Sequence, residues 1–255
     1  MRFEGKVAVV TAAGSGIGKA TSEILVREGA TLVAVDLNVE SLVDLEKQLA
    51  AENLSITRKE VNVLESDQVR NLIDSVIEEF GRIDILVNAV GGSTIIENST
   101  SPVNELTLED WDKVLDFNLN GTFLCTHEVV KHMKVQNSGK IINISSEAAL
   151  SLGEPGSAYV AAKAGITAFT KKVAKESGPY GITCNAVAPG KTLSERIAPR
   201  WNMNSEKEKL EYLNKIPLGR LAEPVDQAKV IAFLASDDAN SVSYTHLTLP
   251  TIYSV

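Results

Sequence analysis

The chain has 255 residues, with 25 Lys plus Arg against 33 Asp plus Glu, which gives a formal net charge of −8. This acidic balance argues against a nucleic acid as partner, because nucleic-acid binders carry basic surfaces. With 44% hydrophobic but only 5% aromatic residues, a chain of this length can bury one large aliphatic core without disulfides or a metal. A single domain is therefore expected.

The predicted strands, taken in chain order, are short runs rich in β-branched residues that alternate with helix-length amphipathic stretches. Leu42, Leu45 and Leu49 show the helical spacing, for example. Repeated strand–helix–strand units predict an α/β fold with a parallel sheet and right-handed crossovers. The predicted strands are Val7–Thr11, Thr31–Asp36, Ile56–Val63, Ile83–Asn88, Lys140–Ser145 and Ile182–Ala188.

A glycine-rich turn, Thr11-Ala12-Ala13-Gly14-Ser15-Gly16-Ile17-Gly18, follows the first predicted strand. Such a turn lets the backbone approach a pyrophosphate, and the helix that follows offers free N–H groups to anionic oxygens. Glycine-rich turns also simply connect a strand to a helix, so the position of this turn relative to other residues decides its interpretation. Asp36 closes the second strand about 20 residues later, the spacing at which a carboxylate binds the adenosine ribose hydroxyls. Because neither Ser15 nor Leu37 is basic, NAD is expected as cofactor, and NADP less so.

Tyr159 and Lys163 stand four residues apart on one face of a predicted helix. A phenol has a pKa near 10 and is a poor base at neutral pH, but a nearby ammonium favours its phenolate form. The alternative interpretation is that Tyr159 and Lys163 are a pair on the protein surface without a catalytic role. Ser146 at the end of the fifth strand argues for a site, because ligands bind at the carboxyl edge of such sheets.

These motifs together resemble the short-chain dehydrogenase/reductase family, and specifically its 3-oxoacyl-[acyl-carrier-protein] reductase-like members. Matching pieces are spread over nearly the whole chain. They are the glycine turn, Asn88-Ala89-Val90-Gly91, Asn118, Ser146, Tyr159 with Lys163, and Pro189-Gly190. The resemblance implies a Rossmann-type doubly wound parallel sheet in three αβα layers, with residues 1–242 as one NAD(P)-binding catalytic domain.

The resemblance also implies roles for the catalytic residues. Tyr159 would exchange a proton with the substrate oxygen, Lys163 would lower the pKa of Tyr159 and bind the nicotinamide ribose, and Ser146 would hold the substrate oxygen. Asn118 would anchor a water that links Lys163 to solvent. A strand-end cap at Ser146 and a plain helix residue at Asn118 are the structural alternatives.

The implied cofactor residues depart from the family pattern at several positions. Ala12 replaces a glycine, Asn62 replaces an Asp, and Ala89 replaces a second Asn. Ser194 stands where the family has a Thr near the nicotinamide, and Thr192 is a possible substitute for that Thr. A positive φ at Ala12 would cost about 1 kcal/mol. The full expected set is Thr11, Gly14, Ser15, Gly16, Ile17, Gly18, Asp36, Leu37, Asn62, Val63, Asn88, Ala89, Gly91, Tyr159, Lys163, Pro189, Gly190, Thr192 and Ser194.

The predicted function is hydride transfer between a nicotinamide cofactor and a secondary alcohol or ketone. The alternatives are a 3-oxoacyl-thioester reductase that uses NADPH, and a dinucleotide-binding protein without activity. A lid at residues 191–217, with Trp201 and Met203, is expected to fold over the substrate. No metal is expected, because His127 and His132 fall on different faces of a helix.

The end of the chain differs in composition from the rest, because residues 243–255 contain no Asp, Glu, Lys or Arg. This tail is interpreted as non-native sequence similar to translated adapter read-through, with the family's last strand missing or replaced. A homo-oligomer, dimer or tetramer, is expected where the C-terminus is intact. Buried thiols at Cys125 and Cys184 favour a cytoplasmic location, and no membrane partner is expected because no long apolar stretch occurs.

Overall fold

The computed structural model describes residues 1–151 and 155–243, together with the backbone of 246–248. Its strands form one seven-stranded parallel sheet in the order β3-β2-β1-β4-β5-β6-β7. The strands are β1 (Val7–Thr11), β2 (Thr31–Asp36), β3 (Thr57–Glu60), β4 (Ile85–Asn88), β5 (Gly139–Ile144), β6 (Ile182–Ala188) and β7 (His246–Thr248).

The helices connect these strands and cover both faces of the sheet. They are α1 (Gly16–Arg27), α2 (Val39–Ala50), α3 (Ser66–Phe80), α4 (Leu108–Leu115), α5 (Gly121–Gln136), α6 (Ser157–Ser177), α7 (Ala198–Met203), α8 (Glu206–Leu213) and α9 (Pro224–Ala235). A π-helical segment, Asp116–Asn120, joins α4 to α5. Within the described residues, no helix has the length and apolar character needed to cross a membrane.

The core is split into two layers because each central strand is buried on both faces. One layer packs the sheet against α1, α2 and α9, with Leu25, Leu45 and Ile231 at its centre. The other packs it against α3, α5 and α6, with Val76 and Val129 fully buried. Buried apolar side chains on both sides explain why Val7–Val10 of β1 and Ile85–Val87 of β4 are all apolar rather than alternating with polar residues. The three-layer, doubly wound fold expected from the sequence is confirmed.

The order of the strands creates a crevice beside β1. The chain moves from β1 to β2 and β3 on one side and then returns, so that β4 pairs with the other edge of β1 through Ala8 with Ile85 and Val10 with Val87. At this switch point the loops after β1 and β4 diverge, and ligands of open α/β sheets bind there. The fold therefore places the glycine turn and the loop after β4 around one opening.

Most predicted strand boundaries agree with the structure, and β1, β2 and β6 agree at both ends. The third strand is shorter than the predicted Ile56–Val63, because at this edge only residues 57–60 pair with β2. At the other edge the atypical tail does form a strand, since Ala186 to Ala188 of β6 pair in parallel with 246–248. A last strand of three residues is therefore present, and residues 244–245 and 249–255 of the tail lie outside the described part.

Candidate active site

A cavity of about 580 Å³ opens at the carboxyl ends of the strands and extends from the glycine turn to Tyr159. Most of the catalytic and cofactor-binding residues predicted from the sequence line this cavity. The lining includes Ser15, Gly16, Ile17, Gly18, Asp36, Leu37, Asn62, Val63, Ala89, Gly91, Ser146, Tyr159, Lys163, Pro189, Gly190, Thr192 and Ser194. Thr11, Gly14, Asn88 and Asn118 are not part of this lining, and they support it from behind.

The glycine turn has the backbone shape that its sequence requires. Gly16 has φ +53, and Ala12 has φ +50, which confirms the strained position expected there. Gly18 is needed for close packing, because a Cβ on it would lie 2.1 Å from the carbonyl oxygen of Ala12. A substitution at Gly18 would therefore push α1 away from the end of β1.

Two carboxylates already bind the N–H groups of this turn. The Gly14 N–H donates to Asp36 Oδ2 at 3.0 Å, and the Asn38 N–H donates to Asp36 Oδ1 at the same distance. The Gly16 N–H, at the first residue of α1, donates to Oε2 of Glu195 at 2.9 Å. The turn thus binds an anionic oxygen in this structure, as a site for a phosphate would.

The wall behind the turn is held by hydroxyl and amide side chains. Thr11 Oγ1 donates to the carbonyl of Val87 and accepts from the N–H of Ala89, so it links the ends of β1 and β4 although position 89 is not an Asn. Asn88 Nδ2 donates to Asn143 Oδ1 on β5 at 2.8 Å. These buried bonds fix the loop after β4, which carries Gly91 and Gly92.

Lys163 is buried at the centre of the site, with only 2% of its surface exposed. Its Nζ donates to the carbonyl of Ile144 at the end of β5 at 2.8 Å. The neighbouring Ser145 Oγ donates to the carbonyl of Lys163 itself, which fastens α6 to the same strand end. A Cβ on Gly91 would lie 2.7 Å from Lys163 Nζ, so the amine occupies its position because Gly91 has no side chain.

Asn118 lies in the π-helical segment and supports the loop after β4. Its Oδ1 accepts from the Gly92 N–H at 2.9 Å, while its Nδ2 donates to the carbonyls of Gly92 and Val114. A π-helical turn widens the helix locally and occurs often at functional sites. The amide of Asn118 thus positions the backbone of Gly92, next to the loop residue that lies beside Lys163.

Tyr159 and Ser146 face the cavity from α6 and from the end of β5. Burial raises the pKa of Tyr159 above its ordinary value, while a hydrogen bond with Ser146 and the positive charge of Arg196 act in the opposite direction. The Lys163 ammonium lies 5.6 Å from the centroid of the Tyr159 ring. Desolvation therefore outweighs the hydrogen bond with Ser146 and the charge of Arg196 in setting the direction of the Tyr159 pKa shift.

Ser146 has two functions in the structure. Its Oγ accepts from the Ala148 N–H at 3.2 Å, so it does cap the short helix 147–149. The same side chain lines the cavity and is hydrogen-bonded to Tyr159. The cap and the site are therefore compatible interpretations of one residue.

Other expected residues lie at the cavity with different partners. Asn62 Oδ1 accepts from the Leu64 N–H at 3.1 Å, and Thr192 Oγ1 donates to the carbonyl of Gly190 at 3.0 Å. Ser194 lies against the turn, since a Cβ on Gly16 would be 3.4 Å from its Cβ. Ser194 is therefore closer to the glycine turn than the predicted nicotinamide contact implied.

The lid supplies residues that the sequence did not single out. Glu195 and Arg196 line the cavity, and so does Tyr212 on α8. Trp201 packs edge-to-face on Tyr212, with ring centroids 5.6 Å apart, and Met203 is 85% exposed. The expected lid does cover the cavity, but Tyr212 rather than Trp201 lines it. The family resemblance predicted that this segment forms a lid. No sequence motif indicated that Glu195, Arg196 and Tyr212 would line the cavity.

Residues 6–205 match the family model described as short chain dehydrogenase. The chain belongs to the short-chain dehydrogenase/reductase family. Among curated relatives of this dehydrogenase, the 3-oxoacyl-[acyl-carrier-protein] reductase FabG of Thermotoga maritima is 40% identical over 247 residues, which make up 95% of either chain. The D-threitol dehydrogenase of Mycolicibacterium smegmatis is 37% identical over 254 residues, covering 100% of this chain and 95% of that one.

Solved structures agree with the sequence relatives of this short-chain dehydrogenase. A crystal structure of NAD⁺-bound xylitol dehydrogenase superposes with a TM-score of 0.90 at 28% identity, covering 98% of this chain and 100% of the other. The chain is accordingly an NAD(P)-dependent oxidoreductase that acts on CH–OH groups. The family assignment made from Tyr159, Lys163 and the glycine turn is confirmed.

The environment of Lys163 predicts a pH dependence for the stability of this short-chain dehydrogenase. Burial, followed by the positive charge of Arg196, lowers the pKa of Lys163 to about 7, whereas an unfolded lysine titrates near 10.4. Between these values the unfolded chain binds one more proton than the folded chain, so this residue makes the free energy of unfolding rise with pH.

We expect Lys163→Met to remove that contribution. In urea unfolding at pH 7, 8 and 9, the stability of the wild type relative to the variant should increase with pH, by up to about 1 kcal/mol per pH unit. Lys172→Met, at an exposed position on the same helix, serves as the control and should follow the wild type. Parallel profiles for Lys163→Met and the wild type would show that the lysine stays protonated on folding.

Proposed function

We propose that this chain is a dehydrogenase that oxidises secondary alcohols, and reduces the matching ketones, with a preference for NAD over NADP. The observation that carries the proposal is that one cavity joins the glycine turn to Ser146, Tyr159 and Lys163. A dinucleotide needs the turn, and proton exchange at a substrate oxygen needs the phenol. Residues 1–242 are proposed as the catalytic domain.

The turn fits the phosphates of a nicotinamide dinucleotide. Its Gly16 N–H already binds the Glu195 carboxylate, which shows that this helix N-terminus accepts an anionic oxygen. The remaining expected cofactor residues line the same cavity from Asp36 to Ser194, and Thr11, Gly14 and Asn88 support them from behind. The cofactor, when bound, supplies the acceptor or donor of hydride.

The proposed roles of the catalytic residues are those that the family implies, and the contacts of each side chain are compatible with them. The Tyr159 hydroxyl exchanges a proton with the substrate oxygen, and the Ser146 hydroxyl holds that oxygen by a hydrogen bond. Lys163 holds its amine beside Gly91, where it binds ribose hydroxyls and carries the proton that Tyr159 gains or loses. Asn118 is a positioning residue, because its contacts are with the backbone of Gly92 and Val114.

Asp36 supports the preference for NAD. Its two oxygens are oriented by the N–H groups of Gly14 and Asn38, and its neighbours Ser15 and Leu37 carry no charge. A 2′-phosphate at this position would place about two further negative charges beside the carboxylate. The carboxylate instead suits the hydroxyls of an unphosphorylated ribose.

The second candidate is a 3-oxoacyl-thioester reductase that uses NADPH. It is favoured by the 40% identity to the Thermotoga maritima FabG protein and disfavoured by Asp36. A dinucleotide-binding protein without activity is a weaker candidate, because Ser146, Tyr159 and Lys163 all reach the cavity.

We also propose that the enzyme forms a homo-oligomer in the cytoplasm. Phe123 on α5 is 44% exposed and packs on Phe169 of α6, with ring centroids 6.1 Å apart, which suits an apolar contact between copies. The thiols of Cys125 and Cys184 are free and buried, as is usual for proteins of a reducing compartment.

Cofactor binding tests the argument from Asp36. We expect the wild type to bind NADH about tenfold or more tightly than NADPH, because two like unit charges about 4 Å apart repel by roughly 1 to 4 kcal/mol near a protein surface, and about 1.4 kcal/mol is tenfold in affinity. Asp36→Asn should narrow that ratio, whereas Asp44→Asn on the exposed side of α2 should leave it unchanged. The measurement is a fluorescence titration of the reduced cofactors. Tighter binding of NADPH by the wild type would support the thioester reductase instead.

Removal of the Tyr159 hydroxyl tests the proposed chemistry. Tyr159→Phe should lower turnover of a panel of secondary alcohols with NAD by about 100-fold or more, since a positioned acid or base contributes about that factor. The dissociation constant for NADH should stay within about twofold of the wild type. Tyr180→Phe, at an exposed turn, is the matched control. Undiminished turnover by Tyr159→Phe would exclude the phenol from the reaction.

A further inference from the structure

We propose that Arg196 recognises a carboxylate on the substrate, so that this dehydrogenase prefers hydroxy acids to neutral alcohols. The proposal rests on the proposed function and names the substrate class of the same site. In the oxidation, the carbinol carbon gives its hydride to the nicotinamide and the hydroxyl gives its proton to Tyr159, which leaves an oxo acid, reduced cofactor and one proton. The carboxylate itself does not react.

The position of Arg196 is defined by the two glycines after β4. Its Nη1 donates to the carbonyl of Gly91 at 3.0 Å. A Cβ on Gly92 would lie 2.2 Å from Nη1 and 2.7 Å from Nη2, so the guanidinium lies flat against a backbone that only glycine leaves open. The preceding residue of this loop, Gly91, lies next to the Lys163 amine. Arg196 therefore places a positive charge at the catalytic end of the cavity.

The charge of Arg196 is not balanced by a nearby acid. No carboxylate of the described residues forms an ion pair with it, and the positive charge lowers the pKa of both Tyr159 and Lys163. Among the described residues, three acids line the cavity: Asp36 and Glu195 accept bonds from the glycine turn, and Glu147 lies in the short helix after β5. A carboxylate bound next to Arg196 would be stabilised by the positive charge of the guanidinium, and it would in turn favour the protonated form of the nearby Lys163.

The guanidinium also has the donors that a carboxylate needs. An arginine carries five N–H donors in a planar fork, which matches the two oxygens of a carboxylate. Gly91 takes one of these donors. The side chain lines the cavity together with Ser146 and Tyr159, so an anion held by it would lie beside the proposed position of the reacting oxygen.

A phosphate of the cofactor is the other possible source of an anionic oxygen. Glu195 and Arg196 are consecutive, yet Glu195 reaches the start of α1 and Arg196 reaches the loop after β4. The place where a phosphate is expected is therefore the start of α1, which Glu195 contacts. Arg196 lies instead near Lys163 and Tyr159. This division favours the substrate as the source, and the test separates the two.

The experiment compares racemic 2- and 3-hydroxybutanoate with their methyl esters, using NAD. For the wild type, kcat/KM should be higher for at least one acid than for its ester. In Arg196→Met this acid-to-ester ratio should fall by about tenfold or more, since a charged hydrogen-bonded pair contributes about that factor. Arg196→Lys should fall between the two, and Arg200→Met on α7 should keep the wild-type ratio.

Two further measurements identify the anion and separate this proposal from the proposed function. The affinity for NADH should be nearly the same in Arg196→Met and the wild type. If Arg196→Met instead bound NADH much more weakly and kept the wild-type acid-to-ester ratio, Arg196 would be assigned to a cofactor phosphate and the proposal would be overturned. Butanoate, which cannot be oxidised at a carbinol, should raise the melting temperature of the wild type in the presence of NADH and not that of Arg196→Met.

The butanoate measurement does not depend on turnover. If the wild type oxidised none of the alcohols, the proposed function would fail, and the shift in melting temperature would still decide the role of Arg196. Equal shifts in the wild type and Arg196→Met would overturn the carboxylate site.

Discussion

The burial of the Lys163 amine at the end of β5 is the interaction on which the rest of the site depends. A lysine removed from water is costly unless its N–H groups are bonded, and here the Ile144 carbonyl accepts one of them at 2.8 Å. Gly91 leaves the space for the amine, and Asn118 fixes the adjoining Gly92. The parallel sheet, the π-helical turn and the glycines after β4 all serve to keep this one side chain in place.

The same burial determines how charge is distributed around the phenol. Desolvation raises the pKa of Tyr159 and lowers that of Lys163, so both groups are biased toward their neutral forms in the protein alone. Ser146 and Arg196 oppose this bias at Tyr159. A cationic nicotinamide ring would add to their effect, which ties ionisation of the phenol to the presence of the oxidised cofactor.

The lid connects the two ends of the cavity through adjacent residues of opposite charge. Glu195 occupies the N-terminus of α1 and Arg196 the loop after β4. A phosphate that binds the turn would replace the Glu195 carboxylate at Gly16, whereas the bond from Arg196 to Gly91 lies elsewhere. Such a phosphate would break the contact between Glu195 of the lid and the start of α1.

Much of the fold and of the site could be predicted from the sequence because the signals are local. Apolar runs predicted both ends of β1, β2 and β6, and the spacing from Gly16 to Asp36 predicted two residues that line the same cavity. The edge strand β3 was harder, since Ile56 to Val63 continues the pattern beyond the residues that pair. Arg196 could not be predicted, because its importance depends on Gly91 and Gly92, about a hundred residues away in sequence and in contact only through the fold.

The ionisation of Tyr159 tests this account most directly. The near-ultraviolet absorbance of its phenolate can be titrated as the difference between the wild type and Tyr159→Phe, first in the protein alone and then with saturating NAD⁺. The account predicts a pKa above the ordinary value of about 10 in the protein alone and a lower pKa with NAD⁺. A pKa at or below the ordinary value in the protein alone would contradict it.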